Sequence, residues 1–209
     1  MLLLPEEINP FNKNSNTRKI LIAGIDEAGR GPWAGPVTAA IVVVSREQVQ
    51  KLSETPLNDS KVISKKKRDL LFDLIIETVT DYAIIDIEND EIDALNILAA
   101  TQKAMNAAFA SLTKQPDQTF IDGYFNKPFL FDNAQCVIDG DAKFICIAAA
   151  SVLAKVHRDR LMEELAVKYP EYGFEKHKGY GTKVHMEALG KFGITEIHRK
   201  SFKPIKKFL

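Results

Sequence analysis

The sequence predicts an α/β domain in which helices flank a mixed central β-sheet. Five short runs rich in apolar and β-branched residues alternate with segments of helical length and spacing. The chain has 209 residues, of which 45% are hydrophobic and 27% are charged, as is ordinary for a globular protein. We therefore expect one domain over residues 19–209, preceded by a polar, Asn-rich N-terminal arm at residues 1–18.

The strands are predicted from apolar, β-branched runs that turn residues bound on either side. Residues 19–25 and 37–44 give the clearest signals, because each run is almost continuously apolar. The connector between them contains three glycines and two prolines, which predicts a shaped loop and excludes a helix. The other predicted strands are residues 82–87, 119–122 and 134–138.

Three helices are predicted from the spacing of apolar residues and from capping signals. Ser64 is a suitable N-cap for a helix that ends near Thr78. The inner side of this helix is predicted to carry Leu70, Leu71, Leu74, Ile75 and Val79. Two longer helices are predicted at about 91–112 and 147–168, and Pro170 ends the second of them. The tail from Gly173 is predicted to mix loops with a short helix.

Composition excludes several classes of protein. No apolar run approaches the roughly 20 residues that span a bilayer, so we expect no contact with a membrane. The first residues lack the basic start of a secretory signal. Cys136 and Cys146 are too few for a disulfide framework, and we expect them to be small buried side chains in a reducing, cytoplasmic setting. The four histidines lack zinc-ligand spacing, which argues against a zinc site.

The charges are unevenly distributed along a chain whose formal net charge is zero. Residues 143–209 contain 14 basic and 7 acidic side chains, whereas the remainder contains 14 basic and 21 acidic ones. A basic C-terminal third beside an acid-rich remainder suggests a polyanionic partner held near a cluster of carboxylates. The alternative, a solvated basic face, is equally compatible with charge alone.

Four carboxylates stand where strands are predicted to end. Asp26 and Glu27 follow the first strand, Asp122 ends the fourth, and Asp141 precedes the last long helix. Acidic groups at strand ends of an α/β sheet point toward the crevice where ligands bind. Their oxygens suit Mg²⁺ or Mn²⁺, and two such ions about 4 Å apart would clamp the attacking water and the leaving oxygen of a phosphodiester. The alternative is that these acids cap helices or form surface ion pairs.

The loop after Glu27 carries the pattern Gly-x-Gly-x-x-Ala at residues 29–34. This pattern is typical of dinucleotide binding only where a helix follows, and here a β-branched run follows, so we reject that interpretation. The glycines instead favour close approach of the backbone to a ligand. Because adjacent strand residues point to opposite faces, the glycines would also have to twist the backbone for Asp26 and Glu27 to converge.

Basic and aromatic side chains offer contacts for a polyanion. Lys61 and residues 65–68 form a basic stretch, and each phosphate that it neutralises would make binding depend on salt. A polar face of the last long helix is predicted to present Ser151, Lys155 and Arg158. Tyr180 stands between two glycines, where an aromatic ring can stack on a sugar or a base. The alternatives are solvated faces for the basic groups and a loop anchor for Tyr180.

Taken in order, the motifs of the chain resemble those of the type 2 ribonucleases H, the ribonuclease HII family. The resemblance runs from about Ile20 to Ile205 and depends on the succession of motifs more than on any one of them. The motifs are GIDEAGRGPWAGP at 24–36, DSK at 59–61, IDALNI at 92–97, IDG at 121–123, GD at 140–141, AAASVLAKV at 148–156, HKGYGT at 177–182 and HRKSFKP at 198–204.

This resemblance implies an RNase H-like fold with a C-terminal extension of helices and loops. It implies an endonuclease that hydrolyses the RNA strand of RNA–DNA hybrids with Mg²⁺ or Mn²⁺ as cofactor. It also implies incision of duplex DNA on the 5′ side of an embedded ribonucleotide, leaving 5′-phosphate and 3′-hydroxyl ends. The family further suggests a monomer.

The resemblance also implies roles for individual residues. It assigns catalysis and metal binding to Asp26, Glu27, Asp122 and Asp141. Asp139 is a rival for the last of these roles, although the helix motif that follows favours Asp141. It assigns contact with the ribonucleotide 2′-hydroxyl to Gly29, Arg30 and Gly31. Tyr180 would stack on the deoxyribose just beyond the junction, and Lys61 would lie near a phosphate.

Two positions depart from the family pattern, because Trp33 replaces an aliphatic residue and Val62–Ile63 replace Lys-Leu. Neither position is among the four acids, so we expect altered loop packing and retained activity. The alternatives to a ribonuclease are a non-catalytic nucleic-acid-binding module and a metal-dependent DNA nuclease or strand-transferring enzyme on the same fold. Intact carboxylates disfavour the first, and the glycine-arginine-glycine turn with the loop tyrosine disfavours the second.

Overall fold

A mixed β-sheet forms the centre of the computed structural model, which describes residues 20–59 and 64–209. The strands in these ranges are β1 (Ile22–Ala28), β2 (Val37–Val44), β3 (Asp81–Ile87), β4 (Gln118–Asp122) and β5 (Ala134–Val137). Their order across the sheet is β3-β2-β1-β4-β5. β2 is antiparallel to β1 and β3, whereas β4 is parallel to β1 and β5. The predicted arm at residues 1–18 and Lys61 lie outside the described residues.

Helices cover both faces of this sheet, as the sequence predicts. The helices in the described ranges are α1 (Arg46–Ser53), α2 (Lys65–Thr78), α3 (Asn89–Leu95), α4 (Ile97–Ala110), α5 (Ile145–Lys168), α6 (Phe174–His177) and α7 (Lys183–Phe192). α5 packs on one face with α1 and α2 against it, and α4 packs on the other. β2 lies between these layers, so Val42 faces the α5 side while Ile41 and Val43 face the α4 side. Burial on both faces explains why this strand is a continuous apolar run.

The central helix α5 approaches β1 closely because position 24 is a glycine. A Cβ added to Gly24 would overlap the backbone of Cys146 in the first turn of α5. Residues Ile145–Ala150 are all buried, so this part of α5 is apolar around its whole circumference. The close approach fixes the distance between β1 and the part of α5 that follows, which carries Ser151 and Lys155.

The structure corrects several predictions about individual elements. The predicted helix at 91–112 is two helices, because Asn96 has a φ of 75° and its side chain accepts hydrogen bonds from the first N–H groups of α4. Leu70 is 62% exposed, and Thr78 lies inside instead. β1 both starts and ends three residues later than predicted, so Asp26 and Glu27 belong to the strand. Cys146 is buried as expected, but Cys136 is exposed on β5.

The C-terminal extension has an apolar core of its own. Phe174, Leu189 and Ile205 pack with Met162 of α5 and with Ala34 of the loop between β1 and β2. This loop is therefore enclosed between α5 and the extension. No helix in the described part of the chain is long and apolar enough to cross a membrane.

Candidate active site

The three strand carboxylates predicted to bind metal lie at one end of the sheet. β1 and β4 are parallel and in register up to Ile25 and Ile121, so their next residues, Asp26 and Asp122, are neighbours. Glu27 follows Asp26 in the same strand, and the charge of Asp122 acts on both of them. The structure therefore places these three acids close enough for their charges to interact, although Asp26 and Glu27 are adjacent residues of a strand.

Burial and mutual repulsion shape the titration of these acids. Asp26 is 6% exposed, and burial together with the charges of Glu27 and Asp122 raises its pKa well above its usual value. A hydrogen bond from the Ser151 hydroxyl and one from the Glu27 N–H at 2.7 Å partly oppose this shift. Burial also raises the pKa of Glu27, while its ion pair with Arg30 at 3.1 Å lowers it. Neighbouring carboxylates under these conditions favour a cation between them.

Asp122 and Asp141 are connected through the turn that precedes α5. The N–H of Gly140 donates to Oδ1 of Asp122 at 2.6 Å, and Asp141 is the next residue in the same short 3₁₀ turn, Gly140–Ala142. Asp141 is half-buried there but is not among the main charges that shift the pKa of Asp26 or Glu27. Asp139 directly before the turn has a left-handed backbone with φ of 52°. The choice of Asp141 over Asp139 as the fourth ligand stays a prediction.

The chemistry of this donor set fits a divalent cation. Every donor is a carboxylate oxygen, which is the ligand type that Mg²⁺ and Mn²⁺ prefer. The groups are not preassembled into a cage, since no three acidic, histidine or cysteine side chains within residues 20–59 and 64–209 are spaced to hold an ion. The raised pKa values of Asp26 and Glu27 show that their negative charge lacks full compensation in this arrangement.

A cavity of about 410 Å³ opens directly beside the carboxylates. Glu27 forms part of its wall, so the acidic cluster and the cavity share a border. Every predicted substrate-binding residue that the structure describes lines this cavity, namely Gly29, Arg30, Gly31, Ser151, Lys155, Arg158 and Tyr180. Arg68 of α2 lines it as well. The sequence shows Arg68 only as part of a basic stretch, because helical spacing alone does not indicate which of four consecutive basic residues faces the cavity.

Two glycine-containing loops meet at this cavity. Gly29 has a φ of 92°, and an added Cβ would overlap the Arg158 side chain, so only glycine fits there. A Cβ on Gly31 would lie 3.3 Å from the Tyr180 ring, which is 48% exposed. The Trp33 N–H donates to the Gly179 carbonyl at 2.8 Å and joins the two loops. The Trp33 ring also packs where a side chain at position 181 would stand, which gives this departure from the family pattern a packing role.

The prediction that Arg158 lies on an exposed polar face of α5 is wrong. The side chain is 2% exposed, and its nitrogens donate to the carbonyls of Pro36, Lys178 and Ala34 at 2.9, 3.0 and 3.2 Å. Burial lowers the pKa of this guanidinium to about 10. Arg158 therefore connects the two cavity loops from behind. The amphipathic pattern suggested an exposed face because helical spacing does not reveal that a loop covers that face.

The other two α5 residues in this set are differently placed. The Lys155 side chain is 41% exposed at the cavity and pairs with Asp159 at 2.6 Å. Ser151 lines the cavity and also donates to Asp26, which gives it a contact with the acidic cluster that the sequence did not indicate.

Known proteins resemble this chain in sequence and in fold. The model of the family described as ribonuclease HII matches residues 23–205. A ribonuclease HII of Endomicrobium trichonymphae is 54% identical over 185 residues, which cover 88% of this chain and 86% of that protein. The crystal structure of ribonuclease H2 from Pyrococcus horikoshii OT3 superposes with a TM-score of 0.80 at 27% identity, over 90% of this chain and 97% of that one.

A more distant structure shows the same fold. Bst-RNase HIII, solved in complex with Mn²⁺, has a TM-score of 0.68 at 17% identity, covering 90% of this chain and 69% of that one. The predicted RNase H-like architecture is thus confirmed by solved structures as well as by the observed sheet. Together with the match over residues 23–205, these likenesses establish that the chain belongs to the ribonuclease HII family.

Proposed function

We propose that this enzyme, an endonuclease of RNA–DNA hybrids by family, also incises duplex DNA on the 5′ side of a single embedded ribonucleotide. The products would carry 5′-phosphate and 3′-hydroxyl ends. The observation that carries the proposal is the cavity wall, which Glu27, one of the neighbouring acids, shares with the Gly29–Gly31 turn and Tyr180. An enzyme that hydrolyses a phosphodiester and recognises the adjacent sugar needs its metal-binding acids next to its sugar-binding residues.

Each part of the cavity has a defined task in this proposal. Asp26, Glu27 and Asp122, with Asp141, would hold divalent ions through their carboxylate oxygens. Ions bound there would supply activation of water and stabilisation of the leaving 3′-oxygen. The backbone of the Gly29–Gly31 turn would contact the ribose 2′-hydroxyl, which is the group that distinguishes RNA from DNA.

The remaining cavity residues would position the strand. The exposed ring of Tyr180 would stack on the deoxyribose beyond the junction. Lys155 and Arg68 line the same wall and would neutralise phosphates. The proposed role of Lys61 near a phosphate concerns a residue outside the described part of the chain.

The family depends on divalent metal ions, and we propose Mg²⁺ or Mn²⁺ for this member. The all-oxygen donor set supports this choice, and the Mn²⁺ complex of Bst-RNase HIII gives one example on the same fold. We also propose that the chain acts as a monomer, because a single copy supplies every cavity residue named above. We further propose that it acts in the cytoplasm.

The test is a duplex with one embedded ribonucleotide, compared with an all-DNA duplex and a continuous RNA–DNA hybrid. We expect nicking of the first and third substrates in Mg²⁺ or Mn²⁺, with none in EDTA. Sequencing of the products should place the cut on the 5′ side of the ribonucleotide. Cleavage of the hybrid without nicking at a single ribonucleotide would contradict the proposal, and cuts in the all-DNA duplex would indicate a DNA nuclease.

Asp122→Asn provides the matched test of the acidic cluster. The substituted amide has the size of the Asp122 carboxylate and an oxygen that can accept a hydrogen bond from the Gly140 N–H. It lacks the negative charge that would hold an ion. Cleavage should fall at least about 1000-fold, or roughly 4 kcal/mol, while the dissociation constant for the hybrid in EDTA stays within a few-fold. Near-normal turnover would remove Asp122 from the metal site.

A further inference from the structure

Arg199 is a buried arginine that lies beneath the loop between β1 and β2. Its side chain is 0% exposed, although the sequence places it in a basic tail. The five N–H groups of a guanidinium point outward in a fixed plane. In Arg199 all five donate to carbonyls of that one loop, at 2.7 to 3.0 Å, and the acceptors are Gly29, Arg30, Pro32, Gly35 and Pro36.

These hydrogen bonds determine where the neighbouring N–H groups point. In a trans peptide the carbonyl of one residue and the N–H of the next point in opposite directions. Arg199 draws the carbonyls of Gly29 and Arg30 toward the protein interior. The N–H groups of Arg30 and Gly31 are thereby directed to the other side of the loop, where both residues line the cavity.

Filling space in the core does not explain why an arginine stands at position 199. Burying a guanidinium is costly, and an apolar side chain of similar volume often stabilises a core better. A lysine would keep the charge but could not hold five carbonyls, because its three donors radiate from a single nitrogen. Position 199 therefore requires a planar group with five hydrogen-bond donors, which only arginine provides.

The segment that carries Arg199 is itself held in place from outside. Asp93 accepts hydrogen bonds from the N–H groups of Lys200 and Ser201, both at 2.8 Å. The Arg199 N–H donates to the Trp33 carbonyl at 2.8 Å. This arrangement gives the motif at residues 92–97 a function, since its Asp93 anchors the residues that follow Arg199.

We propose that Arg199 is a specificity-determining positioning residue, which aims the N–H groups of Arg30 and Gly31 at the ribose 2′-hydroxyl. The inference rests on the proposed function, because it requires that the Gly29–Gly31 turn contacts the ribose. In this proposal the conformation of the Gly29–Gly31 turn depends on its hydrogen bonds to Arg199. A residue about 170 positions away in sequence, without contact to the substrate, sets the preference for ribose over deoxyribose.

The test compares the affinities of a duplex with one ribonucleotide and of the same duplex in all-DNA form, both in EDTA so that no cleavage occurs. The wild-type chain should prefer the ribonucleotide duplex. Arg199→Lys should lower that preference at least fivefold, mainly by weakening the ribonucleotide complex. In Mg²⁺ its kcat at the ribonucleotide should fall by more than its KM rises, because the sugar is bound but misplaced.

A stability-matched control separates positioning from general destabilisation. Ile75→Ala removes a fully buried side chain of α2 from the core on the α5 side of the sheet. It should lower Tm at least as much as Arg199→Lys and leave the ribose preference at the wild-type value. If Arg199→Lys keeps the wild-type preference, or if Ile75→Ala loses it as well, the inference is overturned.

Asp93→Ala provides a second variant if Arg199→Lys does not fold. It removes the anchor of residues 200 and 201 and leaves the guanidinium in place, so the preference should fall in the same direction by a smaller factor. An unchanged preference in Asp93→Ala, together with an unfolded Arg199→Lys, would show a purely structural role. A wild-type chain without any ribose preference would instead overturn the proposed function, and this inference with it.

Discussion

The environment of Asp26 is unfavourable for its own charge. Its pKa is raised by burial and by two neighbouring carboxylates, so the folded state holds its proton to higher pH than the unfolded chain does. Such a group stabilises the fold at low pH and loses that contribution as the pH rises from the ordinary value of 3.8 through the folded pKa. At neutral pH without metal, Asp26 therefore costs stability.

Asp26→Asn should raise Tm in EDTA at pH 7 by a few degrees, corresponding to roughly 0.5–2 kcal/mol, while it abolishes cleavage. Mg²⁺ should raise the Tm of the wild-type chain, because ligand binding stabilises the folded state, and the variant should lose part of that increase. Differential scanning calorimetry measures both effects. Asp132→Asn, at an exposed position, is the control and should change neither. A lower Tm for Asp26→Asn would contradict the argument.

Tyr180 presents an exposed ring at the point where the two loops meet. Loss of an aromatic stacking contact costs about 1–3 kcal/mol, or roughly 5- to 150-fold. Tyr180→Ala should reduce kcat/KM at a single ribonucleotide by this factor and should weaken binding to plain duplex by much less. Tyr82→Ala removes a comparably exposed tyrosine near the opposite end of the sheet and should have no such effect. Equal losses on both substrates would mean that Tyr180 is only a loop anchor.

At the scale of elements, a chain of buried hydrogen bonds ties α7 to the Tyr180 loop. The Thr195 N–H donates to Nδ1 of His198 at 2.9 Å, so the proton of His198 is on Nε2 and is donated to Nε2 of His185 at 3.0 Å. Nδ1 of His185 then donates to the Tyr180 carbonyl at 3.0 Å. Each imidazole must be neutral for this chain to form. Burial accordingly lowers the pKa of both His185 and His198 to about 4.

The two buried imidazoles predict sensitivity to acid. Because their folded-state pKa values are lowered from 6.5, their contribution to stability is complete above that pH and is lost as the pH falls toward 4. Between pH 7 and pH 5 the loss should be on the order of 2 kcal/mol for each imidazole. His198→Gln should flatten the pH dependence of urea denaturation.

His157→Gln is a control that should change the pH dependence of stability in the opposite direction. The hydrogen bond with Asp86 at 2.8 Å raises the pKa of His157, so this residue stabilises the fold at low pH and loses its contribution as the pH rises. Its removal should steepen the acid-induced loss. Equal stability of the wild-type chain at pH 5 and pH 7 would contradict the neutral state of His185 and His198.

Sequence patterns locate most elements but do not show how those elements are covered. The strands are predicted within a few residues because burial on both faces leaves continuous apolar runs, of which β2 is the clearest. The break at Asn96 is missed because Ala and Leu on either side favour one long helix, and the left-handed residue shows itself only in the backbone. Arg158 is misassigned because exposure of a helix face depends on a loop more than 100 residues away in sequence.

At the scale of the whole molecule the net charge is zero, but basic and acidic side chains are concentrated in different places. Arg68, Lys155 and Arg30 line the cavity beside the acidic cluster, so attraction of a nucleic acid is local and does not depend on total charge. The site itself could be predicted from the sequence only in part. Motif order indicates the acids and the loop, whereas the buried arginine at position 199 looks like any other basic residue of the tail.

The affinity of the chain for a hybrid should therefore fall steeply with salt. Each phosphate contact contributes a slope of about −0.9 to log K against log salt concentration. Arg68→Gln should reduce the magnitude of that slope by about one unit and weaken ribonucleotide and all-DNA duplexes alike. Lys51→Gln, on the exposed side of α1, should leave the slope unchanged. Fluorescence anisotropy across a salt series would detect either result, and an unchanged slope for Arg68→Gln would exclude a phosphate contact.

The hydrogen bonds between Arg199 and the loop at residues 29–36 have a consequence for synthesis of the chain on the ribosome. The acidic residues of β1 and β4 are made before Arg199, which is translated about 170 residues after Gly29 of the loop that it shapes. A nascent chain in which Arg199 has not yet been made would possess the acidic residues without the hydrogen bonds that shape the neighbouring loop. Under the proposed function, the preference for ribose would thus be acquired only after Arg199 has been made and has bonded to the loop.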